Sequence, residues 1–319
     1  MKKILIIGGG AMGSAFAIPC LDNGNSVTIT EPYSIRFIKN LSSKNKFHSA
    51  LKINLPKKLK FRNFSSELLK EKFDLIVIAL SLSGIDFIGK ELMKCKIRSP
   101  ILVLTKGLKY QKKAKKIFTI SKKLNNDYKL KNISILKGPC LAKELARKKQ
   151  TSVIIANKNI KIAKAIGKLV STRYYLIEYS KDVVGIEVCS AIKNIYSMII
   201  GAGQSLNSSS NLFQKSILEM KYLIKYFRGK DETILGLAGI GDLYVSAAGG
   251  RNSKMGSYLG RGFTFKSAKR KFMYKDTIEG ELLAREIAPF ILRKIDKKRI
   301  PLMINLLRVI LNNKKLKVG

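Results

Sequence analysis

The chain has 319 residues, of which 46% are hydrophobic and none is tryptophan, which is enough for one large domain or two ordinary ones and excludes an intrinsically disordered chain. Lysine and arginine total 62 against 21 aspartate and glutamate residues, so the formal net charge is +41. Because the basic residues are spread from Lys2 to Lys317, the charge favours a solvated, lysine-rich surface, and it leaves open a basic field that attracts polyanions.

The first twenty residues fit two interpretations. Two lysines followed by apolar residues up to Cys20 have the outline of a secretory or lipoprotein signal. Four glycines between residues 8 and 13 interrupt that apolar stretch, and the residues after Cys20 continue the same folding unit. We therefore expect a cytoplasmic protein.

The same residues form a strand, a glycine-rich turn and a helix. Lys3–Ile7 is a short apolar run, typical of a parallel strand buried on both faces. The turn Gly8–Gly13 reads GGGAMG and fits the pattern G-x-G-x-x-G, and Ser14–Leu21 continues as a helix. Ser26–Thr30 then predicts a second strand, directly followed by Glu31. This order predicts a dinucleotide-binding βαβ unit, and the alternative is a glycine-rich turn in an unrelated α/β protein.

Each residue of this motif has a geometric role. Gly8 and Gly10 let the backbone approach a pyrophosphate, and Gly13 lets the helix pack closely on the strand. Glu31 can accept hydrogen bonds from the adenosine ribose and would repel a 2′-phosphate, which favours NAD over NADP. Arg36 nearby weakens that preference.

Two more strands are predicted in the same sheet. Phe73–Leu80 and Pro100–Thr105 are apolar runs, and Lys106 follows the second of them. Ligands of such sheets bind at the carboxyl ends of the strands, so Lys106 is placed to face the nicotinamide end of the cofactor or an anionic substrate. A solvated loop lysine is an equally good interpretation of its position alone.

The predicted secondary structure changes near residue 180. Before that point the pattern predicts further strands and helices, namely strands at Ile133–Leu136, Thr151–Ala156 and Tyr174–Tyr179 and helices at Cys140–Arg147 and Asn159–Val170. After Asp182, a candidate N-cap, few strand-like runs follow. We expect an α/β fold with an N-terminal Rossmann-like doubly wound sheet. Residues 1–180 would form the dinucleotide-binding domain, and residues 181–319 a mainly helical substrate and catalytic domain.

Cysteine and histidine usage excludes several chemistries. The four cysteines lie far apart in sequence, so neither a disulfide scaffold nor a zinc site is expected. The single histidine, His48, lies in the polar stretch 44–50 and cannot supply a multi-histidine metal site or a histidine-based nucleophilic triad. We predict no metal, and an acid–base group must come from Lys, Asp, Glu, Tyr or Cys.

Lys193 is the strongest candidate for that acid–base group. It lies with Asn194 in the apolar helix predicted over Val183–Ile200. Burial and a second cation such as Lys106 would enable it to exchange a proton near neutral pH. The alternative is a lysine whose stem is buried and whose ammonium group reaches the surface.

Two later segments suit ligand binding. Leu237–Leu243 is a glycine-hinged loop that carries Asp242. Gly249–Asn252 predicts a turn that opens a helix, where backbone N–H groups, the Arg251 guanidinium and the Asn252 amide could bind a phosphate dianion. An ordinary capped helix start is the alternative.

Taken together, these motifs resemble those of the bacterial NAD(P)-dependent glycerol-3-phosphate dehydrogenases over nearly the whole chain. Besides the glycine turn, the resemblance is carried by residues 105–108 (TKGL), 138–145 (GPCLAKEL), 191–194 (AIKN), 238–243 (AGIGDL), 251–252 (RN) and 278–280 (IEG). Several motifs in the same order are much more specific than any one of them.

The resemblance implies a role for each matching residue. It makes Lys193 the proton donor and acceptor, with Lys106 and Asp242 lining the same site as further catalytic residues. The implied substrate-binding residues are Lys106, Gly138, Cys140, Lys193, Asp242, Gly250, Arg251 and Asn252. The implied cofactor-binding residues are Gly8, Gly10, Met12, Gly13, Glu31, Lys106, Ala142, Arg251, Thr277 and Glu279.

The implied reaction is reversible hydride transfer between NAD or NADP and the central carbon of dihydroxyacetone phosphate, a small phosphorylated substrate. Lys193 would protonate the developing alkoxide. In the family, the product feeds phospholipid synthesis. We predict no specific nucleic acid partner; the sequence allows a homodimer and, at most, peripheral electrostatic contact with membranes.

The chain departs from the family pattern at several positions. Met12 replaces an aromatic residue, Cys140 replaces threonine or serine, and Glu31–Pro32 replaces an arginine-bearing strand end. The region Gln204–Phe213 is shortened and lacks an expected arginine. Two alternatives therefore stay open: a catalytically silent dinucleotide- or polyanion-binding homologue, and a related reductase of a carboxylate substrate.

Overall fold

The computed structural model describes residues 1–41 and 45–317, and these residues divide into two compact units. The first unit comprises Met1–Lys106 and Ile120–Val183, and the second comprises Gly107–Thr119 and Val184–Gly319. The short segment 107–119 thus groups with the later part of the chain. The division into domains at residue 180 remains a prediction.

The first unit is built on one eight-stranded sheet. Among the described residues, the strands in chain order are β1 (Lys3–Ile7), β2 (Ser26–Thr30), β3 (Phe47–His48), β4 (Ile53–Asn54), β5 (Lys60–Phe61), β6 (Leu75–Ile78), β7 (Ile101–Val103), β8 (Leu108–Gln111), β9 (Lys116–Thr119), β10 (Ile133–Lys137), β11 (Thr151–Ala156) and β12 (Tyr175–Ser180). The large sheet has the order β12-β11-β10-β7-β6-β1-β2-β5, and β3 pairs with β4 in a separate hairpin.

The sheet is parallel except where β10 meets β11. In the centre, Ile4–Ile7 of β1 pair with Leu75–Ile78 of β6, and every residue in both runs is buried. Strands covered on both faces read as continuous apolar runs, which is why they could be recognised in the sequence. The predicted Rossmann-like fold is confirmed, although the strands predicted at Phe73–Leu80 and Pro100–Thr105 are observed only as β6 and β7.

Helices connect the strands of the first unit. They are α1 (Ala11–Asp22), α2 (Ile35–Leu41), α3 (Ser66–Lys70), α4 (Ile85–Lys94), α5 (Ile120–Tyr128), α6 (Ala142–Ala146) and α7 (Ile160–Val170). Helix α7 starts where predicted, because the Asn159 side chain accepts a hydrogen bond from Lys161 N and caps it. Helix α6 is shorter than the predicted Cys140–Arg147.

The second unit is helical apart from the hairpin of β8 and β9. Its helices are α8 (Val183–Gly201), α9 (Leu206–Tyr226), α10 (Asp242–Ala247), α11 (Arg251–Gly260), α12 (Phe265–Phe272), α13 (Glu279–Lys294) and α14 (Pro301–Asn312). Helix α8 begins directly after Asp182, as predicted. Among the described helices, α8 is the one with the length and composition of a membrane span, but 94% of it is buried inside the protein, as in the core helix of a globular domain.

Candidate functional site

The glycine turn leads from β1 into α1 with little space to spare. Gly8 has φ +115°, and a Cβ there would lie 2.6 Å from the carbonyl oxygen of Ala79. A Cβ at Gly13 would overlap the carbonyl oxygen of Gly8, so the first turn of α1 packs directly on the end of β1. Gly10, in contrast, faces open space at the N-terminus of α1 and contributes no side-chain cap. The turn therefore leaves room at the helix N-terminus where a pyrophosphate can approach the backbone.

The peptide groups of Gly9 are held on both sides. Gly9 N donates to Glu31 Oε2 at 3.0 Å, and the Gly9 carbonyl accepts from Ser14 Oγ at 2.7 Å and from His48 Nε2 at 3.1 Å. His48 Nδ1 accepts from Leu51 N, so the proton of a neutral imidazole lies on Nε2 and points at Gly9. The polar stretch around His48 therefore folds back onto the turn. Lys44, which belongs to the same stretch in sequence, lies outside the described residues.

Glu31 directly follows β2, as predicted, and its carboxylate is half-buried. Besides the bond from Gly9, it accepts a hydrogen bond from Tyr33 N at 3.1 Å. Each carboxylate oxygen has two acceptor positions, so Glu31 retains the capacity to accept a bond from a ribose hydroxyl. Desolvation, and secondly the charge of Glu31, raise the pKa of Tyr33, which keeps its phenol protonated beside this carboxylate.

Further predicted site residues lie at the carboxyl ends of neighbouring strands. Lys106 is half-buried and follows Thr105, whose Oγ1 donates to Leu80 O at 2.8 Å. Gly138 has φ +128°, and a Cβ there would lie 3.1 Å from Val153 Cα, so a side chain is unfavourable in the turn after β10. Three more members of the predicted set are partly buried against the apolar core of this unit: Met12, Cys140 and Ala142.

In the second unit, Lys193 and Asp242 form a buried ion pair. Lys193 is 5% exposed, and its Nζ donates to Asp242 Oδ1 at 2.6 Å and to Ser246 Oγ at 2.5 Å. Asp242 is 2% exposed and is the first residue of α10, directly after a π-helical turn over Leu237–Gly241. The structure thus shows Lys193 inside the helical core rather than reaching the surface.

A second group of polar side chains gathers around the start of α13. Glu279 accepts a hydrogen bond from Asn194 Nδ2 at 3.1 Å, and its Oε1 lies 3.6 Å from the Arg251 guanidinium. Asn252 is buried, and its Oδ1 accepts from Gly280 N at 2.8 Å. A Cβ at Gly280 would approach the Asn194 carbonyl oxygen to 2.6 Å, so α13 starts in close contact with α8 and α11.

The remaining members of the predicted set lie next to this group. Gly250 is the N-cap of α11, and a Cβ there would lie 2.7 Å from Ser246 O. Arg251 is the first residue of α11 and has a side chain 54% exposed. Thr277 is exposed. An exposed guanidinium at a helix N-terminus is accessible to a phosphate dianion.

The predicted residues therefore fall into two sets, one in each unit. The structure brings Gly8, Gly13 and Glu31 together in the first unit, and it joins Lys193 to Asp242 and Arg251 to Glu279 in the second. Three polar side chains of these sites are not in the predicted set: His48, Asn194 and Ser246. For Asn194, the position beside Lys193 is a usable signal, and the other two contacts join residues far apart in sequence.

A parallel sheet with a glycine turn at α1, together with a helical unit that holds a buried lysine–aspartate pair, defines a nicotinamide-dinucleotide-dependent dehydrogenase architecture. The family models for the N-terminus and the C-terminus of NAD-dependent glycerol-3-phosphate dehydrogenase match residues 3–163 and 182–318. The chain belongs to this family, which confirms the resemblance seen in the sequence.

Individual relatives agree with this assignment. The chain is 29% identical over 277 residues to an NADP(+)-dependent glycerol-3-phosphate dehydrogenase of Archaeoglobus fulgidus, covering 83% of this chain and 82% of the relative. It is 27% identical over 319 residues to the glycerol-3-phosphate dehydrogenase [NAD(P)+] of Francisella tularensis subsp. mediasiatica, covering 97% and 93%. The crystal structure of the glycerol-3-phosphate dehydrogenase of Coxiella burnetii has the same fold, with a TM-score of 0.84, 22% identity and coverage of 98% and 96%.

Proposed function

We propose that this protein is an NAD(P)-dependent glycerol-3-phosphate dehydrogenase, which transfers hydride reversibly between the nicotinamide and the central carbon of dihydroxyacetone phosphate. Family membership supports this reaction, and so does the buried pair of Lys193 and Asp242, the single observation that carries the proposal. A buried ammonium group held by a carboxylate is a positioned proton donor, which reduction of a ketone requires. The reading as a carboxylate reductase is not favoured.

The residues of the first unit would hold the dinucleotide. The open N-terminus of α1 at Gly10 fits a pyrophosphate, and the half-buried carboxylate of Glu31 fits a ribose. When bound, the reduced dinucleotide supplies the hydride. Lys106 would add positive charge at the carboxyl ends of the strands, which stabilises an oxyanion.

The residues of the second unit would supply the proton and bind the substrate phosphate. Lys193 Nζ gives its proton to the developing alkoxide oxygen and takes it back in the reverse direction. Asp242 and Ser246 fix the position of Nζ by accepting its other hydrogen bonds. Arg251, at the start of α11, would bind the phosphate.

Steady-state oxidation of NADH and NADPH, followed by absorbance at 340 nm, tests the proposal. Dihydroxyacetone phosphate is compared with dihydroxyacetone, which lacks the phosphate, and with a branched 2-oxo acid. We expect turnover with the phosphate ester and a value of kcat/KM lower by about a hundredfold or more for the other two substrates, since they cannot use the phosphate contacts. Cofactor binding without turnover of any substrate would instead support a catalytically silent homologue.

We further propose that NAD is preferred over NADP. The support is Glu31, whose negative charge would repel a 2′-phosphate. In Glu31→Gln, the affinity for NADPH relative to NADH should rise about tenfold or more, because the repulsion is removed while one hydrogen-bond acceptor remains. Fluorescence titration of both cofactors measures this ratio, with Glu178→Gln, an exposed acid on β12 of the same unit, as the control. An unchanged ratio in Glu31→Gln would contradict the preference.

We also propose a cytoplasmic location and a role in supplying glycerol 3-phosphate for phospholipid synthesis. Family membership supports both the location and the role. Cell fractionation with an antibody to the protein tests the location, and recovery in the membrane pellet after a high-salt wash would contradict it.

A further inference from the structure

Lys137 is a buried lysine at the end of β10. Among the described residues, the buried lysines are Lys137, which is 2% exposed, and Lys193. Lys137 Nζ donates to three consecutive backbone carbonyls, those of Thr105 at 2.5 Å, Leu104 at 3.1 Å and Val103 at 3.4 Å. An ammonium group has three donors, so each of these carbonyls can accept one of them.

The cost of burying a charge explains why this arrangement restrains the backbone. A buried ammonium group without hydrogen-bond partners is destabilised by several kcal/mol. The folded state therefore keeps the three carbonyls pointing at Lys137 Nζ. Residues in this cluster move only if these charge-assisted bonds break.

The three carbonyls lie where the chain leaves the sheet. Strand β7 ends at Val103, and its pairing with β10 ends at the same residue, so Leu104 and Thr105 lie beyond that ladder. On the opposite side, Thr105 Oγ1 donates to Leu80 O. Thr105, the residue before Lys106, is thus held by two hydrogen bonds. Its carbonyl accepts from Lys137, and its hydroxyl donates to Leu80, two residues after the end of β6.

We propose that Lys137 is a positioning residue, which holds the backbone of residues 103–105 and so fixes the Lys106 side chain for the reaction. This inference rests on the proposed function only for the catalytic consequence. The hydrogen bonds of Lys137 Nζ go to the backbone of residues 103–105. Its effect on the reaction therefore passes through Lys106.

The test uses Lys137→Met, which keeps the length of the side chain and removes its charge and donors. We expect kcat/KM for dihydroxyacetone phosphate to fall about a hundredfold, as for a displacement of about 1 Å of a group at the site. The dissociation constant of NADH should change much less than kcat/KM, since the glycine turn and Glu31, which would hold the pyrophosphate and the ribose, keep their own contacts. Lys158→Met is the control, because Lys158 is an exposed lysine of the same unit.

A double-mutant cycle separates positioning from a general structural role. If Lys137 acts through Lys106, then Lys137→Met should have almost no further effect on kcat/KM in a Lys106→Met background. A general loss of folded protein would instead lower activity by the same factor in both backgrounds. Additive effects, or unchanged activity in Lys137→Met alone, would overturn the proposal.

Hydrogen exchange gives a readout that does not require activity. In Lys137→Met, the peptide covering residues 103–107 should exchange faster than in Lys158→Met, while peptides from α7 should be unchanged. If the wild type shows no turnover, the proposed function fails, and the exchange of this peptide still decides whether Lys137 holds the strand end. If Lys137→Met does not fold, Lys137→Gln must show the same changes, because its shorter, uncharged side chain has only two donors and cannot replace the three bonds; normal exchange and activity in that variant would overturn the proposal.

Discussion

At the scale of single residues, the ion pair of Lys193 and Asp242 is at once a structural and a chemical feature. Both side chains are almost completely buried, and their charged atoms are 2.6 Å apart. Removing one member of a buried pair leaves a charge in the protein interior, whereas replacing both with apolar residues is often nearly neutral. Stability and turnover should therefore respond differently to single and double substitutions.

We predict that Lys193→Met lowers the free energy of unfolding by about 3–5 kcal/mol, because Asp242 loses its counter-charge. The double variant Lys193→Met/Asp242→Leu should regain most of that loss and remain inactive. Urea denaturation measures both values. The exposed pair of Lys221 and Asp231, with atoms 3.6 Å apart, is a matched control, and Lys221→Met should cost about 1 kcal/mol or less. If Lys193→Met were as stable as the wild type, that result would contradict a buried, charged pair of Lys193 and Asp242.

His48 is a second single residue for which the structure predicts an effect, in this case on cofactor affinity. Its Nε2 donates to the Gly9 carbonyl, so it helps to hold the turn that would bind the dinucleotide. In His48→Ala, loss of this hydrogen bond, about 1 kcal/mol, should raise the dissociation constant of NADH about fivefold. Lys52→Ala, an exposed lysine in the same stretch, is the control for fluorescence titration. Equal affinities in the two variants would show that His48 does not support the turn.

At the scale of secondary-structure elements, a buried carboxylate joins three helices of the second unit. Glu219 of α9 accepts hydrogen bonds from Leu302 N at 2.7 Å and Met303 N at 3.1 Å, in the first turn of α14, and from Tyr196 of α8 at 2.9 Å. Burial raises the pKa of Glu219, and the three donors offset part of that rise. The carboxyl group of the folded protein therefore binds a proton more strongly than that of the unfolded chain.

This difference gives a signed pH dependence. Since the pKa is raised on folding, the contribution of Glu219 to stability is fully present below the ordinary glutamate pKa of about 4.3, and it is lost as the pH rises through the raised folded value. Between the ordinary glutamate pKa and the raised folded value, the free energy of unfolding of the wild type should therefore fall relative to that of Glu219→Gln. At higher pH the difference between the two proteins should stay constant. Urea denaturation from pH 4 to 8 measures the difference. For Glu232→Gln, at an exposed position, the free energy of unfolding should differ from that of the wild type by the same amount at every pH. The same result for Glu219→Gln would contradict the raised pKa.

The elements also show which parts of the structure can be predicted from sequence. Strands β1 and β6 are apolar runs buried on both faces, and Gly8, which follows β1, has a conformation that few other residues adopt. Both signals are local, so the Rossmann-like sheet could be predicted. The helical pattern around Lys193 was equally visible. The strand ends at Leu80 and Thr105 were placed too late because apolar residues continue beyond the paired part of each strand.

Contacts between distant residues could not be predicted in this way. His48 lies in a polar stretch whose composition indicates a surface loop, yet it is 2% exposed because it packs on Phe37 and bonds to Gly9. Lys137 is one basic residue among 62 in the chain, and nothing in its local sequence distinguishes it. In both cases the acceptor that makes burial favourable lies more than thirty residues away.

At the scale of the whole molecule, the formal net charge of +41 comes from residues spread along the chain, and among the described residues only Lys137 and Lys193 are buried lysines. The cations that the proposed reaction uses are few: Lys106 at the carboxyl ends of the strands, Lys193 in the core of the second unit and Arg251 at the start of α11. The segment 107–119 groups with the second unit although it lies between strands of the sheet in sequence, so each unit draws on both halves of the chain. Within the whole molecule, Lys193 is the group that we propose exchanges the proton.

The most direct test is kcat for NADH or NADPH oxidation by dihydroxyacetone phosphate in Lys193→Met, measured on folded protein that still binds the cofactor with the wild-type affinity. Loss of a positioned acid should lower kcat by a factor on the order of 10² to 10⁴. Lys254→Met, an exposed lysine of α11, should keep the wild-type value. A kcat of Lys193→Met within about tenfold of the wild type would contradict the account, because the proton would then come from another group.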